Sequence, residues 1–361
     1  GKDAQLHLYD PSNGGLPTLR SRFKLKNKEI KSATLYATAR GIYEAYINGK
    51  KVGTEWYAPG VSQYNKTHYY QKYDIDSLLQ KGTNHIQVEM AEGWWMGYVT
   101  YSMTNWNFFG DQLAFRSRMV VHYNDGDSTV VCTQPQGWEV SVDGPVQYAS
   151  MFNGQVTDSR RKHSKWMPAE EITLEGHLPS EGGGTTPKID DYSQQRMLQA
   201  QSAVQAYKTL TAQSMTEARP GVYIYDMGQN MVGYFQVMED EPHQGDTITI
   251  RYAESLNPDS TLYFDNLREA EATDRFIIHE IEEGYGLGWG PSFTYHGFRY
   301  VEITGLRAGF NIDDYFALGH VLYDEMPMTG SFECSNEMMN AVYRNATWGI
   351  RGNYRSMPTD C

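Results

Sequence analysis

The segment that decides the fold runs from Ser331 to Cys361 and reads SFECSNEMMNAVYRNATWGIRGNYRSMPTDC. Ser335 is a preferred helix N-cap residue and no proline follows before Pro358, so we expect a helix to begin after Ser335. Apolar residues then recur at the three-and-four spacing of one helical face, at Met339, Val342, Tyr343, Ala346 and Ile350. Such a face needs a partner, and we therefore expect this helix to open a helical domain of which the chain holds only the beginning.

The composition argues against several classes of protein. A formal net charge of −13 disfavours nucleic-acid binding, because phosphate recognition needs a basic surface. No apolar run reaches the ~18 residues that cross a bilayer, so we expect no membrane partner. The three cysteines show neither a CxxC spacing nor an even number, which argues against a zinc site and a disulfide framework. Asn311–Asp314 holds two adjacent carboxylates, which could bind calcium but are more typical of a solvated turn. We expect no cofactor.

Most of the chain shows the pattern of β-structure. Residues 32–40 and 42–47 alternate between apolar and polar side chains, and the second segment leads into Asn48-Gly49, a dipeptide typical of a type I′ hairpin. Residues 113–132 predict a second hairpin around Asn124-Asp125-Gly126. Short strands return in the second half. Many short strands separated by turn residues favour sandwiches or barrels.

A change of composition divides these strands into two groups. Acidic residues and then Gly182-Gly183-Gly184-Thr185-Thr186-Pro187 predict a linker over residues 168–200. We therefore expect one domain over residues 1–167, a second over 201–328, and the start of a helical domain over 329–361. The predicted fold class is mainly β, with two β-sandwich (jelly-roll-like) domains followed by a helix.

Several longer segments carry a resemblance to a known family. The first half contains ARGIYEAYINGKKVG and NHIQVEMAEGWWMG, the second half contains DMGQNMVG and FTYHGFRYVE, and the C-terminal part contains FECSNE and MPTDC. Together these segments resemble glycoside hydrolase family 78, the bacterial α-L-rhamnosidases. The resemblance implies that the predicted helix is the first of an (α/α)₆ catalytic barrel, truncated at Cys361. At Gln155 the family more often has Glu, so no acidic role is expected there.

The resemblance also implies a reaction. The family hydrolyses terminal α-L-rhamnosyl groups of plant glycosides or polysaccharides with inversion, using a general acid and a general base whose carboxyl groups lie about 6.5–9.5 Å apart. Neither catalytic Glu has a match here, so we expect a non-catalytic N-terminal portion that is inactive alone. Its partners would be a rhamnose-containing glycoside and the catalytic barrel of the same polypeptide.

An alternative is a stand-alone carbohydrate-binding or adhesion module with no hydrolase activity. The predicted helix without a partner favours the enzyme portion. An acidic β-protein with few cysteines fits a periplasmic or extracellular location, and the sequence leaves a cytoplasmic location open.

Three residues are candidate sugar contacts. Asp360 matches the Asp of the family's TDC motif, which the resemblance implies lines the sugar pocket, although Pro-Thr-Asp is also a helix-start signal. Trp94 and Trp95 lie between glycines, with Trp106 behind them. If their segment is extended, the two rings point to opposite faces, so one is core and one is surface. The surface ring would stack on a pyranose or be covered by a neighbouring domain.

The remaining motifs predict structure rather than chemistry. Gly228 and Gly233 in DMGQNMVG indicate bends or close backbone approach. We expect Arg299 in YHGFRY to form an ion pair near Glu302, and His296 to be a hydrogen-bonded packing residue. This block is expected to brace the catalytic barrel rather than contact sugar.

Overall fold

The computed structural model describes residues 14–97, 107–172, 195–239, 245–279, 287–306 and 317–359. The strands of the first half are β1 Thr18–Leu25, β2 Ile30–Arg40, β3 Ile42–Ile47, β4 Lys50–Lys51, β5 Thr67–Asp74, β6 Gly82–Ala91, β7 Ala114–Tyr123, β8 Ser128–Cys132, β9 Trp138–Ser141, β10 Val146–Ser150 and β11 Gly154–Asp158. The second half has β12 Met167–Pro168, β13 Arg196–Gln199, β14 Val204–Thr211, β15 Ser214–Arg219, β16 Val222–Glu239, β17 Thr247–Ala253, β18 Thr273–Ile277, β19 Leu287–Trp289, β20 His296–Thr304, β21 Ala317–Asp324 and the helix α1 Glu337–Asn353. Short 3₁₀ helices lie at Asp76–Leu78 and Asp265–Leu267. The fold is mainly β, as predicted.

The first half folds as a sandwich of two sheets. One sheet has the order β12-β9-β1-β6-β3-β4, and the other has the order β13-β5-β2-β7-β8. Alternate side chains of the strands point into a shared core, where Leu35, Val88 and Val121 are completely buried. Both predicted hairpins are confirmed, since β3 pairs with β4 and β7 with β8. At the first turn Asn48 and Gly49 both have positive φ, 49° and 79°, as a type I′ turn requires.

The second half is a ten-stranded sheet with a sandwich-like arrangement around its own core. The order is β10-β11-β18-β17-β20-β16-β21-β14, and β15 and β19 also pair with β16. The long strand β16 has an irregularity between Asp226 and Met231, where its register against β20 shifts. Gly228 there has a φ of 71°, and a side chain on Gly233 would collide with the backbone of His320. The roles predicted for these two glycines are therefore confirmed.

Strand pairing crosses the predicted domain boundaries in both directions. Strand β11, from the first half, lies parallel to β18 and so extends the ten-stranded sheet. Strand β13 lies at the end of the predicted linker and pairs in parallel with β5 in the first sandwich. The part of the linker from 173 to 194 lies outside the described residues. The boundaries at residues 167 and 201 stay a prediction, but the two β units are joined by continuous hydrogen bonding.

Helix α1 begins one residue later than predicted. The N-cap is Asn336 rather than Ser335, because Asn336 has an extended backbone and its side-chain oxygen accepts hydrogen bonds from the amides of Met338 and Met339. The expected apolar face is exposed, with 49% of Met339, 56% of Val342 and 55% of Ile350 accessible to solvent. Among the described residues, these three side chains therefore form an exposed apolar face.

Candidate functional site

Both predicted tryptophans are buried where the two β units meet. Trp95 is fully inaccessible and Trp94 is 8% exposed, so neither ring lies on the surface, and the alternative in which a neighbouring domain covers the outer ring is the one that fits. The two rings do not alternate between core and surface. The reason is local: residues 93–95 form a turn in which Gly93 has a φ of 56°, and the alternation of an extended strand does not apply. Trp106, Asp360 and the Asn311–Asp314 segment lie outside the described residues.

The tryptophans belong to an apolar cluster that we call the seam cluster. Its buried members come from both halves: Ile42, Tyr57, Val61, Tyr64, Ala91, Trp94, Trp95, Phe109, Ala149, Met151, Val204, Phe293 and Leu322. The ring of Trp94 lies 6.2 Å from that of Tyr57 and 6.5 Å from that of Tyr295. The indole nitrogen of Trp95 donates to the carbonyl of Gln112 at 3.0 Å. Sugar binding by these rings stays a prediction, and a pyranose would reach them only after neighbouring side chains moved.

Glu92 lies in the same turn and carries the most unusual carboxyl group of the seam. Its backbone carbonyl accepts a hydrogen bond from the amide of Trp95 at 3.2 Å. Burial raises the pKa of the Glu92 side chain to about 7, because the charged form is poorly solvated there. Sequence analysis did not single out this residue, and a lone Glu beside two tryptophans gives no pattern that would have done so.

A buried polar network lies beside the seam cluster, centred on Asp274. This carboxylate is completely inaccessible and accepts hydrogen bonds from the amide of Gln155 and the hydroxyl of Tyr252, both at 2.8 Å. Nε2 of His296 lies 3.2 Å from it, and the imidazole stacks on the Tyr252 ring at 4.1 Å. Burial, and then the nearby Asp274, raise the pKa of Tyr252 well above its ordinary value, which keeps this hydroxyl a donor. The predicted packing role of His296 is confirmed.

Gln155 joins this network to the loop before β20. Its side-chain oxygen accepts hydrogen bonds from the amides of Ser292 and Phe293, each at 3.0 Å, and its side-chain nitrogen donates to Thr157. An amide suits this position because its oxygen accepts from two backbone amides while its nitrogen donates to Thr157, and an ionised carboxylate has no donor for the second role. The network therefore ties strand β11 to the second half and leaves Gln155 with a structural role.

Arg299 pairs with Asp226, not with Glu302 as predicted. Its Nε and Nη2 atoms donate to the two carboxylate oxygens at 2.8 Å each, and this bonding lowers the pKa of Asp226. Residues 299 and 302 are three positions apart on β20 and so point to opposite faces of the sheet. Glu302 instead lies 3.5 Å from Arg251.

The segment after α1 is held by both β units at once. The Arg355 guanidinium is completely buried, lies 4.6 Å from the centre of the Tyr295 ring, and donates to the carbonyl of Tyr354 at 2.6 Å. The amide of Ser356 donates to Asp324 of β21, and Gly60 of the first half approaches the same serine so closely that a side chain on it would clash. We call this contact between three parts of the chain the junction.

The junction contains buried charge that the described residues only partly satisfy. Burial lowers the pKa of Arg355 and raises that of Asp324. Within the described ranges, Nε and Nη2 of Arg355 and Oδ1 of Asp324 have no hydrogen-bond partner. No role was predicted for Arg355 from the sequence. Its position between the predicted helix and the MPTDC motif is the signal that could have indicated one.

Two other kinds of site are absent from the described residues. These residues contain no group of three or more His, Cys, Asp or Glu side chains that could hold a metal ion. They also contain no helix that is long and apolar enough to cross a membrane.

Family models identify three successive regions of the chain. Residues 28–174 match the α-L-rhamnosidase N-terminal domain, and residues 216–320 match the bacterial α-L-rhamnosidase concanavalin-like domain. Residues 327–361, which include α1 and the junction segment, match the bacterial α-L-rhamnosidase six-hairpin glycosidase domain.

Individual relatives agree with these matches. An α-L-rhamnosidase of Streptomyces avermitilis is 37% identical over 95% of this chain and 32% of its own length. The structure of a Streptomyces avermitilis α-L-rhamnosidase in complex with L-rhamnose superimposes with a TM-score of 0.80 at 34% identity, over 96% of this chain and 32% of that chain. An α-L-rhamnosidase of Aspergillus terreus gives a TM-score of 0.83 at 30% identity, over 96% and 38% respectively. The chain thus spans about a third of the length of these relatives.

Two β units followed by a segment that matches a glycosidase domain place the chain in a glycoside hydrolase family. More specifically, this chain belongs to the bacterial α-L-rhamnosidase family.

Proposed function

We propose that this chain is the non-catalytic part of an enzyme that hydrolyses terminal α-L-rhamnosyl groups of glycosides or polysaccharides. Its role is to hold the first segment of the glycosidase domain in place. The observation that carries this proposal is the two-sided packing of α1 and the segment after it. One side is fixed to the β units, and the other presents an apolar surface to solvent.

The fixed side of this segment has the character of a domain interface. Trp348 packs on the core of the second half, and the Asn340 side chain is buried against the backbone of Cys334. Arg355 is buried at the junction. The free side carries the exposed Met339, Val342 and Ile350 side chains, which a further helix of the same domain would cover.

The substrate class follows from the relatives. The Streptomyces avermitilis enzyme is seen with L-rhamnose, and this supports a rhamnose-containing substrate for the whole protein to which this chain corresponds. An inverting mechanism with two carboxyl groups remains part of the proposal, and so does a periplasmic or extracellular location. Neither catalytic carboxyl is proposed to lie in this chain.

Asp360 is the one residue here that we propose to contact the sugar. An ionised carboxylate accepts hydrogen bonds from two neighbouring sugar hydroxyls, and such charge-assisted bonds are stronger than neutral ones. The preceding residues are well anchored, since the amide of Thr359 donates to the Asn353 side chain at 2.9 Å. In a longer protein that includes the glycosidase domain, Asp360→Asn is expected to lower kcat/KM about tenfold or more. Near-normal turnover with an earlier melting transition would instead assign Asp360 to a helix cap.

An aryl α-L-rhamnoside assay tests the main proposal. The chain alone is expected to show no hydrolysis above that of a mock preparation, since general acid–base and electrostatic catalysis supply most of the acceleration of a hydrolase. A longer protein with the complete glycosidase domain is expected to hydrolyse the same compound. Turnover by the purified chain alone would contradict the non-catalytic role. Sugar binding without hydrolysis by the longer protein would support the stand-alone binding module instead.

A further inference from the structure

The outer face of the five-stranded sheet in the first sandwich carries two tyrosines and three cations on adjacent strands. Leu35, Tyr73 and Met119, on three adjacent strands, point into the core and are buried. Because successive side chains of a strand point to opposite faces, their neighbours point away from the core. Tyr36 and Tyr70 are half-buried on that outer side.

Cations flank the two tyrosines on the same face. In the register of the sheet, Tyr36 on β2 lies directly between Lys72 on β5 and Arg118 on β7. Tyr70 precedes Lys72 by two residues and Arg116 precedes Arg118 by two, so both belong to this face. We call these five residues the Tyr36 face. Neighbouring strands are about 4.8 Å apart, so the Lys72 and Arg118 backbones lie roughly 10 Å apart with Tyr36 between them.

The two tyrosine rings are not coplanar, so together they form an angled surface rather than a flat one. The centroids of Tyr36 and Tyr70 are 6.2 Å apart and their planes are tilted by 57°. A ring face of this kind offers apolar area and a negative quadrupole to the C–H groups of a pyranose.

The three cations of this face are free to bind a ligand. Lys72, Arg116 and Arg118 are exposed, and none forms an ion pair with another described residue. Asp74 is the next residue of β5 after Lys72 whose side chain points outward, and it lies beside Thr34 at the end of the strand. A chain with a net charge of −13 thus carries a local positive surface here.

We infer that the Tyr36 face binds an acidic polysaccharide through the carboxylates of its uronic acid residues. The planar guanidinium groups of Arg116 and Arg118 match a carboxylate with two parallel hydrogen bonds, and the tyrosine rings support the sugar. The negative charge of the rest of the chain does not prevent this, because at physiological ionic strength charges farther than about 8 Å are largely screened. The inference goes beyond the proposed hydrolysis and holds whether or not the longer protein is active.

Calorimetric titration of the 361-residue chain with polygalacturonate at physiological ionic strength tests this assignment. We expect binding that weakens about tenfold in Arg118→Gln and about fivefold in Tyr36→Ala, with unchanged melting temperatures confirming that both variants fold. Arg22→Gln is the matched control: Arg22 is an exposed arginine on β1 of the other sheet, and its loss changes the net charge equally. This control is expected to bind like the unaltered chain.

The other ligands give the outcomes that would overturn the inference. Neutral dextran is expected not to bind, and dextran sulfate is expected to bind more weakly than polygalacturonate. Equal weakening by Arg22→Gln would show diffuse charge attraction rather than a site. Tighter binding of dextran sulfate or of single-stranded RNA through the same residues would assign the face to another anion, and no binding of polygalacturonate would refute the inference.

Discussion

Glu92 has a carboxyl group that favours its protonated form in the folded chain. Burial raises its pKa from the ordinary carboxyl range to about 7. A group whose pKa is raised on folding stabilises the fold below its unfolded pKa, and this contribution is lost as the pH rises through the folded value. The loss therefore occurs between about pH 4.5 and pH 7. Above that range the charged carboxylate opposes folding.

Glu92→Gln removes this charge and is expected to stabilise the chain at high pH. Since the side chain keeps some contact with solvent, we expect a gain of about 1–2 kcal/mol and a melting temperature about 2–4 °C higher at pH 8.5. The gain should disappear near pH 4, where both side chains are neutral. Thermal unfolding at both pH values checks this, with the exposed Glu269→Gln as a control that should have little effect. A stabilisation that persists unchanged at pH 4 would contradict the proposed cause.

For a single residue, the sequence predicts the structural role of the side chain better than it predicts which residues the side chain contacts. The packing role of His296 could be inferred because a lone buried histidine usually has a hydrogen-bond partner. The partner of Arg299 could not, since Asp226 is 73 positions away and is brought close only by the pairing of β16 with β20. The burial of Trp94 and Trp95 likewise depends on contacts with distant residues such as Tyr295. Local patterns do not contain this information.

Helix α1 offers a direct test of which residue begins it. The Asn336 side chain caps the amides of Met338 and Met339, so Asn336→Ala is expected to destabilise the first turn by about 1 kcal/mol. Hydrogen exchange of the α1 amides measures this as faster exchange over that turn. Ser335→Ala is the matched control, because Ser335 is the neighbouring polar residue and makes no capping bond in the described helix. Faster exchange in Ser335→Ala but not in Asn336→Ala would move the cap back to the predicted position.

Elements with local signals were predictable, and those fixed by distant pairing were not. Asn48-Gly49 specified its hairpin because few residues adopt two successive positive φ angles. Helix α1 was evident from its periodicity, although its start was misplaced by one residue. Nothing near β11 or β13 indicates that each lies parallel to a strand of the other half, since parallel pairing joins segments far apart in sequence.

At the scale of the whole molecule, the continuous sheets predict cooperative unfolding. The β11–β18 and β13–β5 pairs, the seam cluster and the Asp274 network all join the two halves. We therefore expect differential scanning calorimetry to show a single transition. Tyr57→Phe removes a hydrogen bond from the Tyr57 hydroxyl to the Thr294 carbonyl at 2.7 Å and should lower that single transition without splitting it. Two separate transitions in the unaltered chain would show that the halves are independent domains.

The parallel pairing of β11 with β18 also limits how chimaeras of this family can be made. Cutting the chain within residues 168–200 looks natural from the sequence, yet removing the first sandwich at that point would also remove β10 and β11 from the ten-stranded sheet. The second half left behind would then have β18 as an open edge, and exposed edge strands recruit other chains. Exchanges that move residues 146–158 together with the second half would preserve the ten-stranded sheet, but they would separate β12 and β13 from their partners β9 and β5, so no single cut between the halves leaves every strand paired.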